Sequence, residues 1–293
     1  MEACRIVERE TDHLPPNELI TQIFSKRKGR IIHIDGKFVK VKGYEKKIPF
    51  IYAIDYFTHD IPVGVLSLGE NYESYLKLFR ILKDIGYDPK VVVSDEASSL
   101  PPALERVFPS TFHQLCLTHY VENIRVLLKI RTESKYRSFF FELEKIFKRG
   151  IDIKQRYFVL EGLEEKYPKD IFIKTVIDDI YDKYHKLFLF ENYPNCPHSN
   201  NIIEAFNSHL NGRLKTIKGF KSFLGAERWL NAWMIRRRTK PFTDCEKPFL
   251  HLNGKCSLEE VIDLNEKFEE IYLEITKKVI DLDRRKWRKK HQK

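Results

Sequence analysis

Residues 30–41 read RIIHIDGKFVKV, in which apolar and polar side chains alternate around Ile34. Alternation with a period of two is typical of a β-strand that buries one face. Two further runs rich in β-branched and aromatic residues follow at residues 48–57 and 61–68, after short connections. Three such runs in succession predict an antiparallel meander of three strands.

The spacing of apolar residues changes after this meander. Residues 71–85 repeat them at helical spacing, and residues 90–93 form a short apolar run of the kind found in buried parallel strands. A helix at residues 98–107 and a short strand at residues 111–115 complete the order βββαβαβ. This order predicts an α/β fold with a five-stranded sheet. From residue 116 onward the pattern is mainly helical, with breaks at glycine and proline residues.

The composition is that of a globular chain, with 293 residues, of which 42% are hydrophobic. A net charge of +10 favours a polyanionic partner such as nucleic acid. No apolar stretch reaches the roughly 18 residues of a membrane span, and no signal-peptide core is present, so we expect a cytoplasmic protein without a membrane partner. The five scattered cysteines do not suggest a disulfide framework, and the scarcity of glutamine favours a thermophilic source.

Two aspartates stand at the ends of predicted strands. Asp35 ends the apolar half of the first strand, and Asp95 follows the apolar run of residues 90–93. An acid at the mouth of an apolar strand is unfavourable unless it is paired or binds a cation, and two such acids on neighbouring strands favour a divalent metal. The alternative for each is a turn-forming aspartate with a solvated side chain. Asp55 on the second strand is a spare acid, ranked lower because no strand-end glycine or turn follows it.

A third acid, Glu204, lies in a later helical segment at residues 200–216. It shares a polar face with asparagines at three- and four-residue spacing, while the other face is apolar. These asparagines are Asn200, Asn207 and Asn211. Side-chain amides around one acid are unusual on a plain surface, where lysine and glutamate dominate. The alternative is an ordinary amphipathic helix.

Four blocks of sequence match one known family in the same order. They are IDG at residues 34–36, VSDEA at 93–97, HQLCLTH at 113–119 and NNIIEAFN at 200–207. On these blocks the chain resembles, from about residue 30 to residue 245, the DDE transposases with a ribonuclease H-like fold. The resemblance is to the Mutator-like (MULE-type) branch and its prokaryotic insertion-sequence relatives.

This resemblance implies a two-metal site for phosphoryl transfer. Asp35, Asp95 and Glu204 would be the catalytic acids and would hold two Mg²⁺ or Mn²⁺ ions. Water would first free a 3′-hydroxyl at the end of the element, and that hydroxyl would then attack target DNA. The implied partners are DNA, as element ends and target, and further copies of the chain in a homodimer or larger assembly. A small-molecule substrate is not expected.

The resemblance also implies a domain organisation. Residues 30–245 would form a ribonuclease H-like catalytic domain with a mixed five-stranded sheet. A helical insertion at about residues 120–190 would separate the second and third acids. Residues 1–29 are interpreted as a remnant or linker, and residues 246–293 as a helical segment with a basic tail. The 34 residues before Asp35 are too few for an ordinary helix-turn-helix module, so we expect either a catalytic domain alone or a truncated or shortened chain.

A CxxH motif formed by Cys116 and His119 follows the short strand at residues 111–115. In the family the matching motif lies near the acids, where neutral donors would position an acid or bind a phosphate. A zinc site with Cys196 and His198 is the alternative, but its spacing is irregular and zinc is not expected. The auxiliary residues expected near the site are His113, Cys116, His119, Asn200, Asn201 and Asn207.

Basic residues are frequent between residues 207 and 238. Their charges suit contacts to DNA phosphates, which give affinity that depends on salt but not on sequence. The candidate DNA-binding residues are Arg213, Lys215, Lys218, Arg236 and Arg237. Trp229 and Trp233 share one helix face and are expected in the core. The basic tail at residues 284–293 would either bind DNA backbone or fray in solvent.

Two rival functions stay open at this point. One is a ribonuclease H-like nuclease that acts on junctions or hybrids. The other is a catalytically silent, transposase-derived DNA-binding protein. The presence of all three acids favours an enzyme, and the long insertion with its CxxH motif favours a transposase over a small nuclease.

Overall fold

The structure is a computed structural model and describes residues 14–262 except Arg27 and Pro194. The predicted basic tail at residues 284–293 lies outside the described residues, as do most of the predicted C-terminal helix and the first 13 residues. Within the described part of the chain, no helix is long and apolar enough to cross a membrane.

Five strands form one sheet in the order β3-β2-β1-β4-β5. They are β1 (Ile31–Val39), β2 (Ile48–Asp55), β3 (Val63–Leu66), β4 (Val91–Ser94) and β5 (Phe112–Leu115). The β1–β2 and β2–β3 pairs are antiparallel, as the meander predicted. The predicted α/β fold with a mixed five-stranded sheet is confirmed.

Helices account for the other regular elements. They are α1 (Asn17–Phe24), α2 (Tyr72–Asp84), α3 (Leu100–Val107), α4 (Leu117–Leu127), α5 (Arg137–Leu143), α6 (Ile153–Lys166), α7 (Ile171–Leu187), α8 (Leu189–Asn192), α9 (Asn201–Ile217), α10 (Phe223–Thr239) and α11 (Ser257–Val261). Helix α2 begins at a capping box between Asn71 and Ser74 and ends before Gly86, whose φ of +86° suits glycine. The helices α4 to α8 fall in the chain between Asp95 and Glu204, where the insertion was predicted.

Helix α1 lies in the segment that the sequence analysis interpreted as a remnant or linker. Pro16 does not prevent the helix because it stands before the first turn, where no intrahelical donor is needed. The side chain of Asn17 donates to the carbonyl of Ile61 at 2.7 Å, and its backbone N–H donates to Asn231 Oδ1 at 2.8 Å. The segment is therefore an integral part of the fold.

The chain divides into two compact units. Among the described residues, unit 1 comprises residues 14–92, 98–111 and 201–262, and unit 2 comprises residues 93–97 and 112–200. The core of unit 1 joins the strands β1 to β3 with side chains of α9 and α10. The core of unit 2 is built from the helices of the insertion.

Unit 2 contains a fully buried arginine. Arg156 forms a bidentate ion pair with Glu191, and its Nε donates to the carbonyl of Ile146 at 2.8 Å. Its guanidinium lies 4.1 Å from the centre of the Phe188 ring. These contacts satisfy a charge that would otherwise be unfavourable in a helical core.

Unit 1 contains a fully buried ion pair between Arg238 and Asp60. Arg238 donates to both carboxylate oxygens of Asp60 at 2.8 Å. Its remaining nitrogen donates to Asn17 Oδ1 and Thr21 Oγ1, each at 3.0 Å, and Ser257 Oγ donates to Asp60 at 3.0 Å. One pair thus joins α1, the segment before β3, α10 and α11.

We expect Arg238→Met to lower the free energy of unfolding by about 3–5 kcal/mol, because it leaves the Asp60 carboxylate buried without its counter-ion. Urea denaturation followed by tryptophan fluorescence checks this, since Trp229 and Trp233 lie in unit 1. The matched control is Arg236→Met on the exposed side of the same helix, expected to change stability by less than about 0.5 kcal/mol. Equal effects of the two substitutions would contradict the role of the pair.

Candidate active site

Asp35 lies on β1, directly across the antiparallel pair from Tyr52 on β2. Its side chain is half-buried, and both of its carboxylate oxygens accept hydrogen bonds. The backbone N–H of Gly36 donates to Oδ1 at 2.7 Å, and the side-chain amide of Asn207 on α9 donates to Oδ2. Asp35 is therefore not the solvated turn residue of the alternative interpretation.

Tyr52 holds the Asn207 side chain that donates to Asp35. Its hydroxyl donates to Asn207 Oδ1 at 2.9 Å and lies 3.4 Å from the carbonyl oxygen of Ile203. The ring is completely buried and meets the edge of Trp233 with 5.7 Å between ring centres. The hydrogen bonds run in one line, from Tyr52 through Asn207 to Asp35.

Glu204 lies on α9, three residues before Asn207, and is half-buried. Burial raises the pKa of Tyr52 well above its usual value, and the negative charges of Asp35 and Glu204 raise this pKa further, against the opposing charge of Arg237. The hydroxyl of Tyr52 therefore stays protonated. Two carboxylates act on one buried hydroxyl, and such a pair of like charges favours a bound cation.

Asp95 lies in unit 2, directly after β4. Its Oδ1 is 2.6 Å from His119 Nδ1, and the ligand atoms of Asp95, Cys116 and His119 all lie within 4.8 Å of one another. Hydrogen bonds to Asp95 and then Cys116 raise the pKa of His119 to about 11. The sequence analysis expected neutral donors at this motif, whereas the carboxylate of Asp95 favours the imidazolium form of His119.

Cys116 is buried at the start of α4, and its sulfur accepts the backbone N–H of Asn200 at 3.2 Å. Cys196 and His198 have other hydrogen-bond partners and are not part of the cluster that contains Cys116. Cys196 donates to the carbonyl of Pro197, and His198 Nδ1 lies 2.9 Å from an Arg149 nitrogen. Among the residues the structure describes, the metal-ligand cluster within unit 2 is that of Asp95, Cys116 and His119.

His113 and Asn201 are the predicted auxiliary residues that lie outside these contacts. His113 on β5 has its Nε2 2.8 Å from Ser94 Oγ, and burial lowers its pKa to about 4, so the ring is neutral. The bond ties β5 to β4. Asn201 is the exposed first residue of α9.

A basic cleft of about 310 Å³ lies in unit 1 between α9 and α10. It is lined by His209, Arg213, Trp229, Ala232, Trp233, Arg236, Arg237 and Lys240. Arg237 lies over the rings of Phe206 and Phe242, at 4.8 and 5.8 Å from their centres. Trp233 is in the core as predicted, with 5% of its surface exposed, whereas Trp229 is only partly buried and lines the cleft.

Two of the predicted DNA-binding lysines are not among the residues that line this cleft. Lys215 is exposed near the end of α9. Lys218 is exposed in the turn between α9 and α10, where its φ is +58°. The five cations are close together in the sequence but not on the surface. The three arginines line the cleft, and the two lysines do not.

Comparison with known protein families identifies the chain. A family model described as "Transposase, Mutator family" matches residues 59–238, which is more than half of the chain. This chain belongs to the Mutator family of transposases. The matched region includes Asp95 and Glu204 and begins after Asp35.

Curated relatives of this Mutator-family chain are bacterial transposases. The transposase for insertion sequence element IS1201 of Lactobacillus helveticus is 24% identical over 173 residues, which cover 55% of this chain and 45% of the relative. The transposase for element IS256 in transposon Tn4001 of Staphylococcus aureus is 26% identical over 175 residues, which cover 58% and 44%. The chain therefore spans less than half the length of these relatives.

Solved structures show weaker similarity to this Mutator-family chain. The Drosophila P element transposase strand transfer complex has a TM-score of 0.45 and 12% identity, over 76% of this chain and 81% of that one. The HTLV-2 integrase catalytic core domain with magnesium, in its trimeric form, has a TM-score of 0.26 and 12% identity, over 56% and 89%. Similarity at this level does not by itself establish a common fold.

Asp55, the spare acid of the sequence analysis, has a structural role in this transposase. It accepts hydrogen bonds from the backbone N–H groups of Gly29, Phe57 and Thr58. The hydroxyl of Tyr87 lies 3.5 Å from it. Burial, the largest influence, raises the pKa of Asp55 to about 6. Its oxygens hold the turn after β2.

Three residues at these sites do not follow from the sequence patterns: Tyr52, His209 and Lys240. The sequence marks Tyr52 only as an aromatic strand residue, because its position across from Asp35 depends on the strand register. His209 and Lys240 stand at helical spacing from Arg213 and Arg236. That spacing is a signal that could have placed them beside the same cleft.

We expect the stability difference between the wild-type transposase and Asp55→Asn to depend on pH. The folded-state pKa of about 6 lies above the ordinary value of 3.8. The stabilisation by Asp55 is therefore complete below pH 4 and is lost as the pH rises through 6, by about 3 kcal/mol. Urea denaturation of both proteins between pH 4 and pH 7 measures the difference. A difference that is constant with pH would show that Asp55 ionises freely in the folded state.

Proposed function

We propose that this chain is the catalytic part of a DDE transposase that cleaves DNA strands and joins the freed 3′-hydroxyl to target DNA. The observation that carries the proposal is the match of residues 59–238 to the Mutator transposase family. The anchored carboxylate of Asp35 supports it from outside the matched region. Water and the DNA 3′-hydroxyl would be the nucleophiles, so no covalent protein–DNA intermediate is required.

Asp35, Asp95 and Glu204 are the residues that we propose as catalytic acids and metal ligands. Their donor atoms are carboxylate oxygens, which suit Mg²⁺ or Mn²⁺ better than a soft metal. Two such ions, when bound, would polarise the attacked phosphate and activate the attacking oxygen. The chain itself orients the acids: Asn207 and Gly36 hold Asp35, and His119 holds Asp95.

The basic cleft is the part of the surface that we propose contacts the DNA backbone. Among the described residues, no acidic side chain forms an ion pair with Arg213, Arg236, Arg237 or Lys240, which leaves their charges for phosphates. Lys215 and Lys218 would extend the contact along the exposed turn. Because two DNA ends must be joined together, we propose that the protein acts as a homodimer or larger assembly.

Strand transfer tests the catalytic proposal. A pre-cleaved DNA end with a free 3′-hydroxyl is incubated with supercoiled plasmid and Mg²⁺ or Mn²⁺. We expect the wild type to join the DNA end to the plasmid. Each of the variants Asp35→Asn, Asp95→Asn and Glu204→Gln should lower joining by more than about 100-fold. This loss exceeds the one expected from removing an outer-shell partner of a metal ligand. Asp55→Asn is the matched control, since its carboxylate holds a turn.

The products separate the rival functions. Nicking of the plasmid without joining would favour the nuclease. DNA binding with no cutting in either metal would favour the silent DNA-binding protein. Equal loss of activity in Asp55→Asn, in a folded protein, would contradict the assignment of the three acids.

Removal of the cleft charges should weaken DNA binding without sequence preference. We expect the double substitution of Arg213→Gln and Arg236→Gln to reduce the slope of log K against log salt by about 0.9 for each DNA phosphate that the variant no longer neutralises. Fluorescence anisotropy with labelled duplex DNA at several salt concentrations measures this slope. Arg106→Gln, an exposed arginine on α3 in the same unit, is the control and should leave the slope unchanged.

A further inference from the structure

We propose that Tyr52 and Asn207 are positioning residues that orient the Asp35 carboxylate for a divalent cation. The inference rests on the proposed role of Asp35 as a metal ligand and adds how that ligand is held. Neither residue needs to touch the cation or the DNA. Both would act through one hydrogen-bonded line that ends on Asp35 Oδ2.

The direction of this line is fixed by chemistry. A side-chain amide has an accepting oxygen and a donating nitrogen at opposite ends, and the two are not interchangeable. The Tyr52 hydroxyl donates to Asn207 Oδ1, so Asn207 Nδ2 faces Asp35. A rotated amide would place its oxygen against the carboxylate and replace the hydrogen bond to Asp35 by a repulsion. Tyr52, by donating to Asn207 Oδ1, favours the orientation in which the amide nitrogen faces Asp35.

The two donors that hold Asp35 are uncharged. The Gly36 N–H donates to Oδ1, and the Asn207 amide donates to Oδ2. Neither donor opposes the negative charge of the carboxylate, whereas a cationic donor in the same place would weaken its attraction for a metal ion.

Burial prevents water from replacing the hydrogen bonds of Tyr52 and Asn207. Tyr52 is fully buried and Asn207 is 3% exposed, so no bulk water can substitute for a lost hydroxyl. The Tyr52 ring is held by its strand and by the Phe50 and Trp233 rings, at 5.3 and 5.7 Å between centres. Helix α9 carries both Asn207 and Glu204 at a spacing of three residues, which places them on one face. The same helix thus presents an acid and the donor that orients another acid.

Metal binding by the full chain tests the inference directly. We expect Tyr52→Phe to weaken Mn²⁺ binding by about 10–100-fold, the effect of removing an outer-shell partner of a metal ligand. Free Mn²⁺ is measured by electron paramagnetic resonance during titration. The half-saturating Mn²⁺ concentration for strand transfer should rise by the same factor, with activity recovered at saturating Mn²⁺. A merely structural role would not predict that recovery.

Tyr87→Phe is the matched control. Tyr87 is also buried in unit 1, and its hydroxyl contacts Asp55 rather than Asp35. We expect it to leave Mn²⁺ affinity unchanged even where it lowers stability. Asn207→Leu is the second positioning variant, because Tyr52 keeps the Ile203 carbonyl as an acceptor and the side-chain volume is similar. It should weaken Mn²⁺ binding at least as much as Tyr52→Phe.

Asp35→Asn separates the failure of this inference from the failure of the proposed function. If Asp35→Asn weakens Mn²⁺ binding while folded Tyr52→Phe and Asn207→Leu bind as the wild type does, the positioning role is wrong and the metal site stands. If Asp35→Asn also binds Mn²⁺ as the wild type does, the proposed metal site is wrong and the positioning role falls with it. An equal loss in Tyr87→Phe would likewise overturn the inference, since any buried hydroxyl would then have the same effect.

Discussion

The buried ion pair between Arg238 and Asp60 is the contact on which the arrangement of unit 1 depends. Neither side chain reaches solvent, so each needs the other, and Asn17 on α1 completes their hydrogen bonds. The pair fixes the end of α10 beside the segment that enters β3. Trp233, earlier on α10, is thereby held with its ring edge against Tyr52. Helix α10 therefore carries both the arginine of the ion pair and the ring that covers Tyr52.

The burial of Tyr52 and Asn207 limits the hydrogen-bond partners that each side chain can find. In water, a tyrosine, an amide and a carboxylate would exchange partners freely, because solvent satisfies each of them. In unit 1 the phenol of Tyr52 is cut off from solvent and stays protonated beside two negative charges. It donates to Asn207 Oδ1, and the amide nitrogen of Asn207 donates to Asp35. The orientation of Asp35 follows from burial and charge, without strain in the backbone.

The sequence predicted the elements of the fold better than the contacts between them. Alternating and helical periods locate strands and helices, and the four family blocks locate the acids. These patterns do not determine the register between strands, so they do not predict that Tyr52 lies across from Asp35. Asp35 and Asp55 each follow an isoleucine in a strand; the glycine after Asp35 distinguishes them in the sequence, and their hydrogen-bond donors distinguish them in the structure. Helix α1 lies in the segment interpreted as a remnant or linker, where a proline before the first turn permits a helix.

The aspartates of the first two family blocks are held by donors of different charge. Asp35 accepts hydrogen bonds from a neutral amide and a backbone N–H, neither of which opposes its negative charge. Asp95 lies against His119, and their hydrogen bond raises the pKa of His119 to about 11. A positively charged neighbour weakens the Coulomb attraction of a carboxylate for a cation but fixes the side chain in place. If both acids bind the proposed metal ions, His119 would therefore orient Asp95 at a cost in charge, whereas Asn207 would orient Asp35 without that cost.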